Sequence, residues 1–236
     1  MTEKNEGIKK AALCCLLVFI LLSGCASYTV KHTEKGSMFY RDEIQTAKWY
    51  EGDSGVIIRE GEPVNGKFAE YYENGVKKTE YSYKDNLLNG VTVEYDKKGN
   101  LVSEIEYRDN LKHGKARYFY ENGRLKEEGY FEAGKREGTW ESYYETGSIE
   151  RQYEYRDGQR DGFWFCSYET GEVKEEGMYQ KGKREGTFRC RYLSGEWREK
   201  GNYRNGLRHG LWEEYNEDGT IRAKRVYKKG VLVEGP

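Results

Sequence analysis

Three histidines, five cysteines and recurrent pairs of glutamates are the side chains on which chemistry would have to rest in this 236-residue chain. Paired acid–base catalysis needs two carboxylates converging on one side of a bond. Glu127-Glu128 and Glu175-Glu176 are adjacent in sequence, and adjacent side chains of a strand point to opposite faces. Such pairs read as a solvated surface. His113 and His209 occupy the same position of a 24-residue repeat, four copies apart. At about 4.8 Å per strand they stand roughly 40 Å from each other, too far to share a metal or a proton. No Cys-x-x-Cys, phosphate loop or Gly-x-Ser-x-Gly is present. The expectation is a protein with no catalytic residue, no cofactor and no metal, hence not an enzyme.

The elements that would carry any site follow from the glycines. One comb runs through Gly66, Gly90, Gly114, Gly138, Gly162, Gly186 and Gly210. A second runs through Gly75, Gly99, Gly123, Gly147, Gly171, Gly195 and Gly219 at the same 24-residue step. A fixed period of this length means an array of identical supersecondary units. Each copy holds two turn dipeptides, such as Asn74-Gly75 or Thr146-Gly147, and Asp85-Asn86 or Asp157-Gly158. Two-residue hairpin turns of type I′ need positive φ, which Gly, Asn and Asp tolerate. The fold class expected is all-β: about seven repeats of two strands each, forming one elongated, twisted antiparallel meander over residues 66–236. A degenerate capping hairpin is expected at 38–65, since repeat arrays need altered ends.

With two-residue loops, Gly138 lies opposite Tyr155, Trp140 opposite Tyr153, and Tyr144 opposite Ile149. The first of these rows is glycine against an aromatic ring in every copy, an arrangement that covers bare backbone. One face becomes an apolar stripe, and it is the candidate binding face: Trp140, Trp164, Phe188, Trp212, Tyr155, Tyr179 and Tyr203, joined by Trp197. Three uses of the stripe stay open. It docks a protein, since Trp and Tyr dominate interface energetics; it stacks on wall sugars or quaternary ammonium groups; or it is the sheet's own one-sided core. Cys166 and Cys190 fall in adjacent copies, about 10 Å apart, beyond the roughly 7 Å that a disulfide allows between Cα atoms. They are expected to be unlinked.

The N-terminal residues give an address. Lys4, Lys9 and Lys10 precede an apolar run from Ala11 to Leu22, which is short for a resident span and reads as an export signal over 1–24. Leu22-Ser23-Gly24-Cys25 resembles the lipobox of bacterial lipoproteins. That resemblance implies cleavage before Cys25, acylation of its thiol, and a lipidated tether over 25–37 that attaches the domain to the membrane. Ala26 after the cysteine favours the outer membrane where a cell has one. Composition agrees with an exported β protein: 29 Gly, 22 Tyr, 2 Pro and a formal charge of −1. Near-neutral, well-mixed charge offers no electrostatic reason to bind nucleic acid.

The phrase Tyr-x-x-Gly-x-x-x-Gly-x-Trp, read from Tyr155 to Trp164 and again at Tyr179–Phe188 and Tyr203–Trp212, resembles the MORN repeat. The 24-residue spacing with Tyr-Tyr-x-x-Gly is similar to the type-2 bacterial variant found in the YwqK-like antitoxin family. Asn86 and Asn110 stand where the motif has glycine, and Thr92 and Ala116 where it has tryptophan. The resemblance implies a scaffold for protein or lipid contact. Combined with the address, the expected function is a non-catalytic, lipid-anchored envelope protein that binds a protein partner, with an immunity or antitoxin-like role as its concrete form. The alternative is a module binding wall glycan or lipid headgroups.

Overall fold

The computed structural model describes residues 28–33, 36–41, 44–51 and 57–235. Among them there is no helix, and twenty strands form one sheet. Before the repeats come β1 (Tyr28–Thr33), β2 (Gly36–Arg41), β3 (Ile44–Glu51) and β4 (Ile57–Gly61). The repeats supply β5 (Gly66–Tyr71), β6 (Lys77–Lys84), β7 (Leu87–Leu88), β8 (Gly90–Tyr95), β9 (Leu101–Arg108), β10 (Leu111–Phe119), β11 (Leu125–Glu132) and β12 (Lys135–Tyr143). They continue with β13 (Ile149–Arg156), β14 (Gln159–Ser167), β15 (Val173–Gln180), β16 (Lys183–Arg191), β17 (Trp197–Arg204), β18 (Leu207–Tyr215), β19 (Ile221–Lys228) and β20 (Val231–Glu234). From β8 onward each strand pairs antiparallel with its successor.

The tether and cap differ from expectation. Residues 28–33, placed in the tether, form β1, which pairs along its whole length with β2 and meets β5 in parallel at Thr29 and Ala69. The cap is thus four strands. Its reason is apolar: Val30, Phe39 and Ala47 are buried with Phe68 and Tyr83 of the first repeat, and Phe39 stands edge-on to Phe68 at 5.4 Å. The export segment and Cys25 lie outside the described residues.

The two turns of each repeat are not alike. Asp85-Asn86 and Asp157-Gly158 have positive φ at both positions, as a type I′ turn requires. At the other turn only the glycine is left-handed, Gly147 at φ 100°, and all seven glycines of that comb share the sign. The amide of Gly147 donates to the Tyr144 carbonyl at 2.9 Å, and the Tyr144 amide donates to the Ser148 carbonyl at 2.9 Å. This is a three-residue loop closed by a glycine bulge, where two-residue turns were expected. Asn and Asp recur before that glycine for another reason. Asn74, Asn122 and Asp218 accept the amide two residues on, at 3.1, 2.9 and 2.9 Å, the side-chain mimic of a turn.

The longer loop slips the register by one, and a bulge slips it back. Tyr143, not Tyr144, pairs with Ile149; Ser142 pairs with Arg151, leaving Glu150 as the extra residue. Beyond the bulge, Gly138–Tyr155 and Trp140–Tyr153 pair as anticipated. The same correction recurs at every long turn.

Both rims of the ribbon are stitched from repeat to repeat. Along one, each type I′ turn donates to the strand two places back, as Gly158 to the Arg136 carbonyl at 3.0 Å. Along the other, a tyrosine hydroxyl donates to a carbonyl 23 residues on: Tyr72 to Tyr95, Tyr120 to Tyr143, Tyr144 to Ser167, Tyr168 to Arg191 and Tyr192 to Tyr215, at 2.6–2.9 Å.

Candidate binding faces

The residues expected to form an aromatic binding face are the core. Trp140, Trp164, Phe188 and Trp212 are only 1–5% exposed, so they offer no contact surface; Tyr155, Tyr179, Tyr203 and Trp197 are half-buried. A single sheet has no second layer to cover such rings, and two features of the sequence supply one. Bare glycines seat them: the Trp140 and Trp212 rings lie directly on Gly129 and Gly201, and Trp164 Nε1 lies 3.0 Å from where a Gly177 Cβ would be. Guanidinium groups roof them. Arg136 stands over Trp140 at 3.9 Å, Arg184 over Trp164 at 5.1 Å and Arg208 over Trp212 at 4.1 Å. The indoles of Trp140 and Trp212 donate to the Tyr130 and Asn202 carbonyls at 3.0 and 3.1 Å.

This arginine row went unread in the sequence, although it has its own comb: Lys112, Arg136, Arg160, Arg184 and Arg208, each two residues before a repeat glycine. A stacked cation of this kind contributes about 0.5–2 kcal/mol. The row is not uniform in its counter-ions. Arg136 is paired with Glu127 at 3.0 Å and Arg208 with Glu199 at 2.7 Å. Burial raises the Glu199 carboxyl above its usual range, against the pull of Arg208. Among the described residues Arg160 and Arg184 have no carboxylate within ion-pair distance and are held by tyrosines, Arg184 reaching the Tyr203 hydroxyl at 3.1 Å. Trp197 stands apart from the row, with Arg191 at 3.5 Å and Lys200 at 4.3 Å from its ring centre.

Cys166 and Cys190 are free, each pairing with Glu175 from opposite sides, two strands apart. Burial pushes the Cys190 thiol up to about 11. Among the described residues no group of three or more His, Cys, Asp or Glu is placed to hold a metal ion.

The opposite face, which Glu128, Gln152 and Glu176 mark as solvated in the sequence, also carries apolar side chains. Paired residues share a face, so Phe163 and Met178 face outward together, 37% and 44% exposed. Phe165 lies 6.1 Å from Phe163, ring to ring, and its strand partners are Gln152 and Glu176. Tyr130 is 43% exposed on the same side. Beside it lies a hollow of about 550 Å³ lined by Lys115, Glu128, Gly129, Tyr130, Thr139, Glu141 and Gln152.

Comparison with known proteins gives one positive result. The family model described as a MORN repeat variant matches residues 64–85, 88–109, 112–133, 136–157 and 208–229. No curated protein matches the chain. Every matched stretch begins at the position of the arginine row, passes through both glycine combs and ends in the type I′ turn. The matched unit and the folded hairpin are therefore the same object, and this chain belongs to the MORN repeat family in its variant form.

Proposed function

We propose that the protein is a non-catalytic binding scaffold held at a bacterial envelope through acylated Cys25, acting on a protein partner as an adaptor or as an immunity factor against an envelope-active toxin. The supporting observation is the contrast between constant and variable rows. Glycine faces an aromatic ring in all seven copies. On the outer face the neighbouring pair changes from copy to copy: Lys67–Ser82, Val91–Glu106, Lys115–Tyr130, Phe163–Met178, Leu211–Val226. A frame that repeats while its outward side chains vary suits recognition of one particular surface.

Two measurements test the reading. Metabolic labelling with a fatty-acid analogue should mark the parent chain and not Cys25→Ser, which should also leave the membrane fraction; label on both variants removes the anchor. Affinity capture from the native envelope should recover one protein with the parent and lose it with an outer-face variant that melts like the parent. Identical recovery with every outer-face variant ends the scaffold reading.

The alternative, an anionic lipid headgroup as ligand, is favoured by Arg160 and Arg184, which stack on tyrosines with no carboxylate partner among the described residues. Flotation of Cys25→Ser with anionic vesicles, repeated with both arginines changed to Gln, tests it. Stacking of wall sugars on the tryptophan row has lost its platform, because the indoles are buried.

A further inference from the structure

We infer that the outer face between β11 and β15 is a docking site for an extended, basic segment of a partner protein. An apolar side chain of that segment sits on Phe163 and Met178, and its lysines or arginines meet Glu141, Glu154, Asp161 and Glu185. The inference rests on the scaffold reading and adds the chemistry of the partner.

Exposure is the first ground. Phe163 and Met178 belong to none of the three buried clusters, so the core does not account for them. With Phe165 they make a contiguous apolar patch across two central strands. Central strands are closed to added backbone pairing, which leaves the side chains as the contact surface.

Charge is the second ground. No ion pair forms to Glu141, Glu154, Asp161 or Glu185 among the described residues, whereas Lys115 is engaged with Glu128 at 2.7 Å and Arg189 with Glu176 at 3.3 Å. Glu154 and Glu185 instead accept backbone amides, from Phe163 at 3.3 Å and Asn205 at 2.7 Å, which holds them in place without neutralising them. The field over the patch is negative, and a basic partner is steered toward it.

Shape is the third ground. The 550 Å³ hollow adjoins the patch through Gln152, the strand partner of Phe165. A segment of four to six extended residues, about 14–20 Å at 3.4 Å each, reaches from the hollow across β14 to Met178. Around Leu211 and Val226, also paired outward, the acidic frame is thinner: Glu234 faces Val226 without an ion pair, and Lys224 is ion-paired to Glu213 at 2.9 Å. That pair serves as the internal control.

The test titrates the full chain with fluorescent hexapeptides of alternating lysine and leucine, lysine and serine, or glutamate and leucine. The lysine–leucine peptide should bind at least about tenfold more tightly than either control, and added salt should weaken it. Phe163→Ser with Met178→Ser should cost about tenfold or more, Glu141→Gln with Asp161→Asn about threefold with a flatter salt dependence, and Leu211→Ser nothing. Each variant is melted alongside, and the sites are surface positions, so loss of folding is separable from loss of binding. Equal binding of the glutamate–leucine peptide, or full binding by the Phe163/Met178 variant, overturns the proposal. If no peptide binds while an envelope partner is still captured, this proposal falls and the scaffold reading stands.

Discussion

The copy that starts at Gly90 and the copy that starts at Gly210 have the same turns and opposite cores. In the later copy Trp212 rests on Gly201 under Arg208. In the earlier one Thr92 takes the tryptophan position beside Ile105 and Leu88 takes the arginine position, while both copies lack the stitching tyrosine, having Asp96 and Asn216 there. The central row alternates by size, small beside large: Thr92, Ile105, Ala116 in one region; Phe188, Gly201, Trp212 in the other. The backbone tolerates either solution because what matters is that each ring find an empty neighbour. In the earlier copy Thr92 Oγ1 is buried without a partner among the described residues, as His209 Nδ1 is in the later one. The chain therefore has a thin seam between two well-packed clusters.

The largest expected effect separates the regions outright. Trp212→Ala should cost about 3–5 kcal/mol in chemical denaturation, whereas Thr92→Ala should cost about 1 kcal/mol or less, having little to lose. Equal losses would break the contrast. Next comes the seat beneath the ring: Gly201→Ala should destabilise by about 1–3 kcal/mol through overpacking, with near-parent stability pointing to a ring that shifts freely. The alkaline limb of stability should also divide the molecule. Cys190 is held near 11 against an ordinary 9.0, so the folded state keeps a proton that the unfolded chain gives up. Stability is intact below pH 9 and falls between pH 9 and 11, by on the order of 2 kcal/mol. Cys190→Ala should flatten that slope in urea titrations at stepped pH. In the N-terminal cluster Tyr81, raised by burial to about 12, responds only at higher pH. The smallest effect sharpens the seam: Thr92→Val removes an unpaired hydroxyl at constant shape and should add about 1 kcal/mol.

How far the sequence could be read follows the same division. Period, turn positions and the glycine–aromatic rows were legible because they are set by backbone conformation, which glycine and asparagine report directly. The loop at Gly147 was misread as two residues, since a left-handed glycine closes either loop and only the bulge at Glu150 tells them apart. The tryptophans read as a surface because a one-layer sheet leaves one side uncovered unless its own side chains close over it. Their cover comes from arginine, a residue type usually counted as solvent-facing, whose stem and planar head pack on rings. β1 was hidden for another reason: its buried residue, Val30, packs with Phe39 of the adjoining strand and with Phe68 of the first repeat, and no periodic pattern marks that cluster. The outward face of Phe163 and Met178 was readable from their alternation with Gly162, Trp164 and Tyr179, and the structure adds that both are exposed.

The tyrosine hydroxyls that cross 23 residues give the ribbon a mechanical character. Load applied at its two ends runs across the strands, the direction in which hairpins peel apart one hydrogen bond at a time. A hydroxyl bridging to the next repeat couples each peeling front to a bond not yet under tension, so rupture should proceed in whole repeats. The one interior position without that bridge is Asp96, whose carboxylate is turned inward on the amides of Lys98 and Asn100. Extension should therefore begin just past the seam, between the repeat at Gly90 and the one at Gly114, where an exposed ion pair from Lys98 to Glu121, a weak link, crosses in place of the hydroxyl.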